Sequence, residues 1–165
     1  MRKKTWFIIV LVICQLLVLA GMAGIRYYTK ANGKDIVLLT EPANFSEMRY
    51  ENTIYLSYTA SSISWEKWSG KQRPEQGDKV YVLFQKSGNV YEPVRVTKEK
   101  IESSNDTEAI LAGKYQYESD GTMHISYGLE RYRFKQNESL KPGERQWKVH
   151  VKVSDYHQFI TKIEP

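Results

Sequence analysis

Trp147-Lys148-Val149-His150-Val151-Lys152-Val153 alternates apolar and polar side chains, placing Trp147, Val149, Val151 and Val153 on one face and Lys148, His150 and Lys152 on the other. A period of two marks a strand with one buried and one solvated face. Outward from it, segments of the same kind recur over 36–40, 53–59, 79–86, 90–97, 109–118, 122–127, 130–134 and 157–163, with turn residues between them. Ser87-Gly88-Asn89 predicts a hairpin joining the third and fourth of these, and Asp120-Gly121 one joining the fifth and sixth, because Gly and Asn tolerate the positive φ of tight turns. No long 3.6-residue periodicity follows position 30, so the expected fold is all-β and largely antiparallel, a curled sheet, barrel or sandwich. Only SSISWEKWSGKQRPEQ, residues 61–76, breaks the pattern, and it is expected to hold a short helix or an exposed loop.

The N-terminal end obeys a different rule. WFIIVLVICQLLVLAGMAGI, residues 6–25, is 20 residues without a charge, the length that crosses about 30 Å of hydrocarbon as a helix. Its Phe, Ile, Leu and Val residues together favour insertion by about 4–7 kcal/mol, more than the lone Gln15 opposes. The expected organisation is therefore a basic cytoplasmic N-terminus over 1–5, a transmembrane helix over 6–25, a polar linker over 26–35 and an extracytoplasmic β-rich domain over 36–165. Arg2, Lys3 and Lys4 crowd one end of the apolar run, whereas Arg26, Lys30 and Lys34 are spread over the other, which sets this orientation in a cell membrane. A cleaved signal peptide is the competing reading, since Gly21-Met22-Ala23 fits a small-x-small cleavage site; a run longer than roughly 7–15 apolar residues favours the anchor. Ile13 is too bulky before Cys14 for lipoprotein processing.

Charge and cysteine narrow the function classes. The chain carries 24 Lys and Arg against 19 Asp and Glu. Without Arg2, Lys3 and Lys4 the balance falls to 21 against 19, so the excess of cations belongs to membrane topology and no nucleic-acid partner is expected. Cys14, the only cysteine, lies inside the apolar run, which removes disulfides, cysteine metal sites and thiol nucleophiles from the outer domain.

Three pieces of the strand pattern resemble a family of small bacterial membrane-anchored proteins named for the motif Gly-Asp-Tyr-x-x-Leu-x-Tyr. Glu51-Asn52-Thr53-Ile54-Tyr55-Leu56-Ser57-Tyr58 stands in the motif's place and keeps only Leu56 and Tyr58. Gly77-Asp78-Lys79-Val80-Tyr81-Val82-Leu83-Phe84 with Val94-Arg95-Val96 resembles the family's second hairpin, and Ile125-Ser126-Tyr127-Gly128-Leu129-Glu130-Arg131-Tyr132 its later block. The resemblance implies a membrane-anchored β domain facing away from the cytoplasm, without an assigned reaction, working beside multi-spanning membrane proteins.

Residues that could carry chemistry are few. His124, His150 and His157 have no close His or Cys partner in sequence and read as surface residues, so no metal or cofactor is expected. Gly70-Lys71-Gln72 lacks the rest of a phosphate loop. A tethered hydrolase of the signal-peptidase kind would use Ser46, before Met48, with Lys79 or Lys86 as base, but both lysines stand in amphipathic surroundings that keep a lysine protonated. Gly77-Asp78-Lys79-Val80 resembles a later box of those peptidases, but the Gly-Asp pair reads better as a turn before a strand. A small-ligand binder using a barrel mouth is the other alternative. The preferred reading is an interaction or accessory module: residues 6–25 meet the lipid bilayer, and another integral membrane or envelope protein is the expected partner. Trp65, Lys67 and Trp68 in the irregular stretch, with Arg131 and Arg133 on a charged strand, are the candidate contacts with that partner or with headgroups.

Overall fold

The computed structural model describes residues 2–44, 49–50, 53–133, 144–155 and 157–164. Among the described residues one α-helix, α1 (Arg2–Asn32), precedes thirteen strands: β1 (Lys34–Leu39), β2 (Ala43–Asn44), β3 (Arg49–Tyr50), β4 (Thr53–Tyr55), β5 (Ser62–Ser64), β6 (Lys79–Ser87), β7 (Val90–Thr97), β8 (Glu108–Ser119), β9 (Thr122–Ser126), β10 (Arg131–Arg133), β11 (Glu144–Arg145), β12 (Lys148–Val153) and β13 (Gln158–Glu164).

Every pairing between these described strands is antiparallel, as the hairpin signals require. The β6–β7 turn closes at Gly88 with φ 61°, and the β8–β9 turn at Asp120 and Gly121 with φ 51° and 70°. Two successive positive φ values give the turn twist that matches the strands it joins. Five strands form one sheet in the order β5-β9-β8-β6-β7, and three form another in the order β1-β12-β13. Short pairs β2–β11 and β3–β4–β10 complete the set. β1 lies beside β7, and β12 approaches β8. Gln158, at the start of β13, donates to Ala112 O at 2.9 Å and to Tyr127 O. The small sheet therefore meets the large one along two lines, and the whole curls into a nearly closed barrel.

Alternation decides what fills it. Trp147, Val149, Val151 and Val153 are buried as their spacing requires, opposite Ile36 and Leu38. Val80, Val82, Phe84, Leu111, Met123 and Ile125 come in from the larger sheet. Gly113 sits where a Cβ would come within 2.5 Å of Ile125 Cγ2, so the backbone there is pressed against the next strand. Two tyrosines enter the core with their hydroxyls satisfied: Tyr58 OH donates to Leu129 O at 2.8 Å, and Tyr127 OH to Ala60 O at 2.6 Å. Burial, reinforced by the nearby Glu130 carboxylate, raises both phenols far above their ordinary range. Tyr127→Phe strands the Ala60 carbonyl in the core and is expected to cost about 1–3 kcal/mol, read as a lower urea midpoint at unchanged slope.

One sequence expectation is corrected. Residues 26–32 continue the helix instead of opening a linker, and Gly33 alone separates α1 from β1. No Gly or Pro interrupts 25–32, Thr29 Oγ1 back-bonds to Ile25 O at 3.0 Å, and Lys30 favours the negative end of the helix dipole. The 61–76 stretch holds the expected short helix, a 3-10 turn at Trp65–Lys67, and exposed loop beyond it, and adds the short edge strand β5 before them.

Candidate functional site

Residues 6–25 are exposed along their whole length, so the domain covers none of the apolar run. Trp6–Asn32 is long enough, and its apolar part apolar enough, to cross a membrane. Contact with the domain begins only in the last turns. Thr29 is fully buried and shares a 2.7 Å hydrogen bond with Ser154 Oγ, in the turn that joins β12 to β13. Gly33 N donates to Thr29 O at 2.8 Å. A Cβ on Gly33 would lie 2.3 Å from Thr29 O and 3.0 Å from both Lys152 Cγ and Val153 O, so only glycine fits this corner. One turn earlier on the helix the Arg26 guanidinium stands 6.0 Å above the Phe159 ring. Helix and barrel are joined as one piece.

Beside this junction opens a cleft of about 460 Å³, lined by Tyr28 and Asn32 from α1, Lys34 from β1, residues 100–103, residues 108–110 of β8 and residues 153–155. A second hollow of about 240 Å³ adjoins it through Lys100, Ile101, Ile110, Ser154 and Asp155, and adds Lys79, Tyr81 and His157. Lys34 is half-buried and its ammonium donates to Glu108 O. Lys100 and Asp155 face one another at 3.8 Å. None of this was visible in the sequence, because its parts come from five separate segments and its only local signal was a scatter of Lys, Asp and Glu.

The residues singled out from the sequence fall elsewhere. Trp65 and Trp68 are half-buried, packed edge to face at 5.9 Å and against the core, with Trp65 also meeting Tyr115 at 6.2 Å and the Arg73 guanidinium at 4.6 Å. Trp68 folds over Gly70, where a Cβ would lie 2.4 Å from its ring. Lys67 is exposed and donates to Pro93 O at 2.8 Å, bordering a hollow that includes Leu39, the β1 residue farthest from the helix. Arg131 and Arg133 are exposed on β10, and Arg131 covers the ring of its cross-strand partner Tyr55 at 5.4 Å. Tyr55 remains 46% exposed, an aromatic and a guanidinium side by side on the surface. The structure thus brings Arg131 to Tyr55, a pairing the sequence did not announce, and keeps both tryptophans in packing roles.

For the hydrolase reading, Ser46 and Met48 lie outside the described residues, and Lys79 and Lys86 are exposed. The Gly77-Asp78 pair forms a turn: Gly77 has φ 88°, Gly77 N donates to Tyr115 O, and Asp78 N to Glu75 O. Lys98 Nζ donates to Asp78 Oδ2 at 2.7 Å and Glu75 N at 2.8 Å, and these two bonds hold the carboxyl below its ordinary range. A depressed folded-state pKa stabilises the fold above the unfolded value and loses that contribution as pH falls through the folded one. Asp78→Asn is therefore expected to be less stable than the parent at neutral pH, with the gap closing below about pH 4 in thermal melts across a pH series.

His157 is exposed as expected. His150 is half-buried with Nε2 3.3 Å from Glu164, and His124 is half-buried, stacked on Tyr117 at 4.4 Å and 3.4 Å from Ser62 Oγ across the β5–β9 pair. Among the described residues no three of His, Cys, Asp and Glu gather as a metal-ligand set.

Leu56 and Tyr58, the two retained residues of the degenerate motif, are buried anchors: Leu56 N donates to Glu130 O at 2.7 Å, and Tyr58 OH reaches Leu129 O in the same later block. The GDYXXLXY family model matches residues 15–157. The chain belongs to the GDYXXLXY family. In this GDYXXLXY protein the two eponymous residues that survive are those that tie the β4 segment to the Gly128–Glu130 corner, so their role here is in packing. No curated protein and no solved structure matches the chain.

Proposed function

We propose that this GDYXXLXY protein is a single-pass membrane protein of the bacterial envelope, its basic N-terminus cytoplasmic and its β domain extracytoplasmic, working as an accessory module that binds another integral membrane or envelope protein. The observation that carries this reading is the junction: Thr29, Gly33 and Ser154 join an apolar, uncovered helix to the barrel without a flexible tether. A domain held at fixed height and orientation presents the same face to every neighbour in the plane of the membrane. Confinement raises effective concentration, so a small contact surface suffices.

The exposed Tyr55–Arg131 pair with Arg133 is the surface best suited to a protein partner, because aromatic and Arg side chains dominate binding energy at interfaces. Lys67 adds a cation at the border of the distal hollow. A photo-crosslinking residue at Tyr55, compared with one at the exposed Lys71, tests the reading in native membranes. The expected result is one recurrent membrane or envelope protein captured from position 55 and lost in the Arg131→Glu background. No capture above the Lys71 control would contradict it.

A further inference from the structure

We infer that the cleft at the helix–barrel junction is a binding site for a phospholipid headgroup carrying both a phosphodiester and a primary ammonium, the phosphoethanolamine class. The inference rests on the membrane-anchored reading and goes beyond it.

Height comes first. The apolar run ends at Ile25. At 1.5 Å per residue, Tyr28 stands about 4.5 Å and Asn32 about 10 Å beyond it along the helix. The interfacial layer on each side of a 30 Å hydrocarbon core is roughly 5–8 Å deep. Tyr28 falls within that layer and Asn32 just above it, and both line the cleft, so its lower edge opens at the level of lipid headgroups. The Tyr28 ring suits that level, with an apolar body and a polar tip.

Charge selects among headgroups. Lys34, Lys79 and Lys100 face the two connected hollows together with Glu102, Glu108 and Asp155. Three cations and three carboxylates balance, so a bare phosphate meets as much repulsion as attraction. A lone ammonium is no better served. A headgroup with one charge of each sign satisfies both sets, its phosphodiester on the lysines and its ammonium on Asp155 and Glu102. A primary ammonium donates three hydrogen bonds where a trimethylated one donates none. Ile101 and Ile110 give the glycerol end an apolar wall. The Lys100–Asp155 pair, at 3.8 Å, is loose and exposed, worth little by itself and easily exchanged for contacts with the ligand.

The test uses the full chain in detergent, mixed with equal amounts of phosphatidylethanolamine, phosphatidylglycerol and phosphatidylcholine, with retained lipid counted by native mass spectrometry. The ethanolamine lipid is expected to be retained roughly tenfold over the other two, since each lost charge-assisted hydrogen bond accounts for about that factor. Lys100→Met and Asp155→Asn, both at exposed positions, are each expected to remove most of the preference, while Lys71→Met leaves it intact. Equal retention of the three lipids, or an undiminished preference in both variants, would overturn the inference. Displacement of the lipid by inorganic phosphate would overturn it as well, assigning the cleft to the free anion. Failure of the anchored reading is seen separately, as a chain that washes off membranes.

Discussion

Trp147→Ala is expected to lower stability by about 3–5 kcal/mol, the largest effect of any single truncation in the barrel. The indole is 2% exposed and is the bulkiest of the fully buried side chains. It also stands at a backbone crossing: Thr40 N donates to Trp147 O and Trp147 N to Thr40 Oγ1, each at 3.0 Å. Removing the ring leaves a cavity at the far end of the β1–β12 pair, next to the Thr40–Tyr58 bridge that ties the small sheet to the rest. For a domain of this size the loss corresponds to a fall in Tm of roughly 10–20 °C. Thermal melts of parent and variant, followed by near-ultraviolet circular dichroism, measure it. A fall of less than about 4 °C would show that the ring's space collapses without cost and that the core is not organised around it.

Gly33→Val is expected to leave the barrel folded and to loosen the junction. The new side chain meets Thr29 O, Lys152 Cγ and Val153 O, two of them backbone atoms or close to backbone, so the helix must shift off the Ser154 turn. Overpacking of this kind costs about 1–3 kcal/mol, which raises the population of the opened junction roughly 5- to 150-fold. Lys30 and Lys34 flank the corner, and trypsin reads their accessibility directly. In reconstituted membranes the variant is expected to be cut there at a rate increased by that factor, with the barrel's Tm nearly unchanged. Equal cutting of parent and variant would mean that the corner is already open, and the fixed-height argument for the domain would fail with it.

What could be read beforehand follows from how local each signal is. The β6–β7 and β8–β9 hairpins were legible because Gly88-Asn89 and Asp120-Gly121 dictate positive φ within two residues. The β12 face was legible because alternation of Trp147 to Val153 needs no partner to be seen. β5 escaped notice because three residues give too short an alternation, and its strand character comes from β9 alongside it. The helix extension escaped because Thr29, Lys30 and Asn32 look like linker residues until Ser154, 125 positions away, receives Thr29. Trp65 and Trp68 stand in a polar stretch that gives no local sign of what packs on them, because Tyr115 and Val96 come to them from distant strands. The cleft is the extreme case. Its lysines and carboxylates gain meaning only from their height above Ile25 and from one another.

That height depends on residues 6–25 staying in the bilayer. The most direct measurement is alkaline washing of membranes followed by intact-mass analysis of the chain in pellet and supernatant. A chain that keeps residues 6–25 and stays in the pellet is the result expected of an anchored barrel. A chain beginning near Gly24 and released to the supernatant would contradict the anchor, and with it the headgroup cleft and the confinement on which the proposed partnership rests.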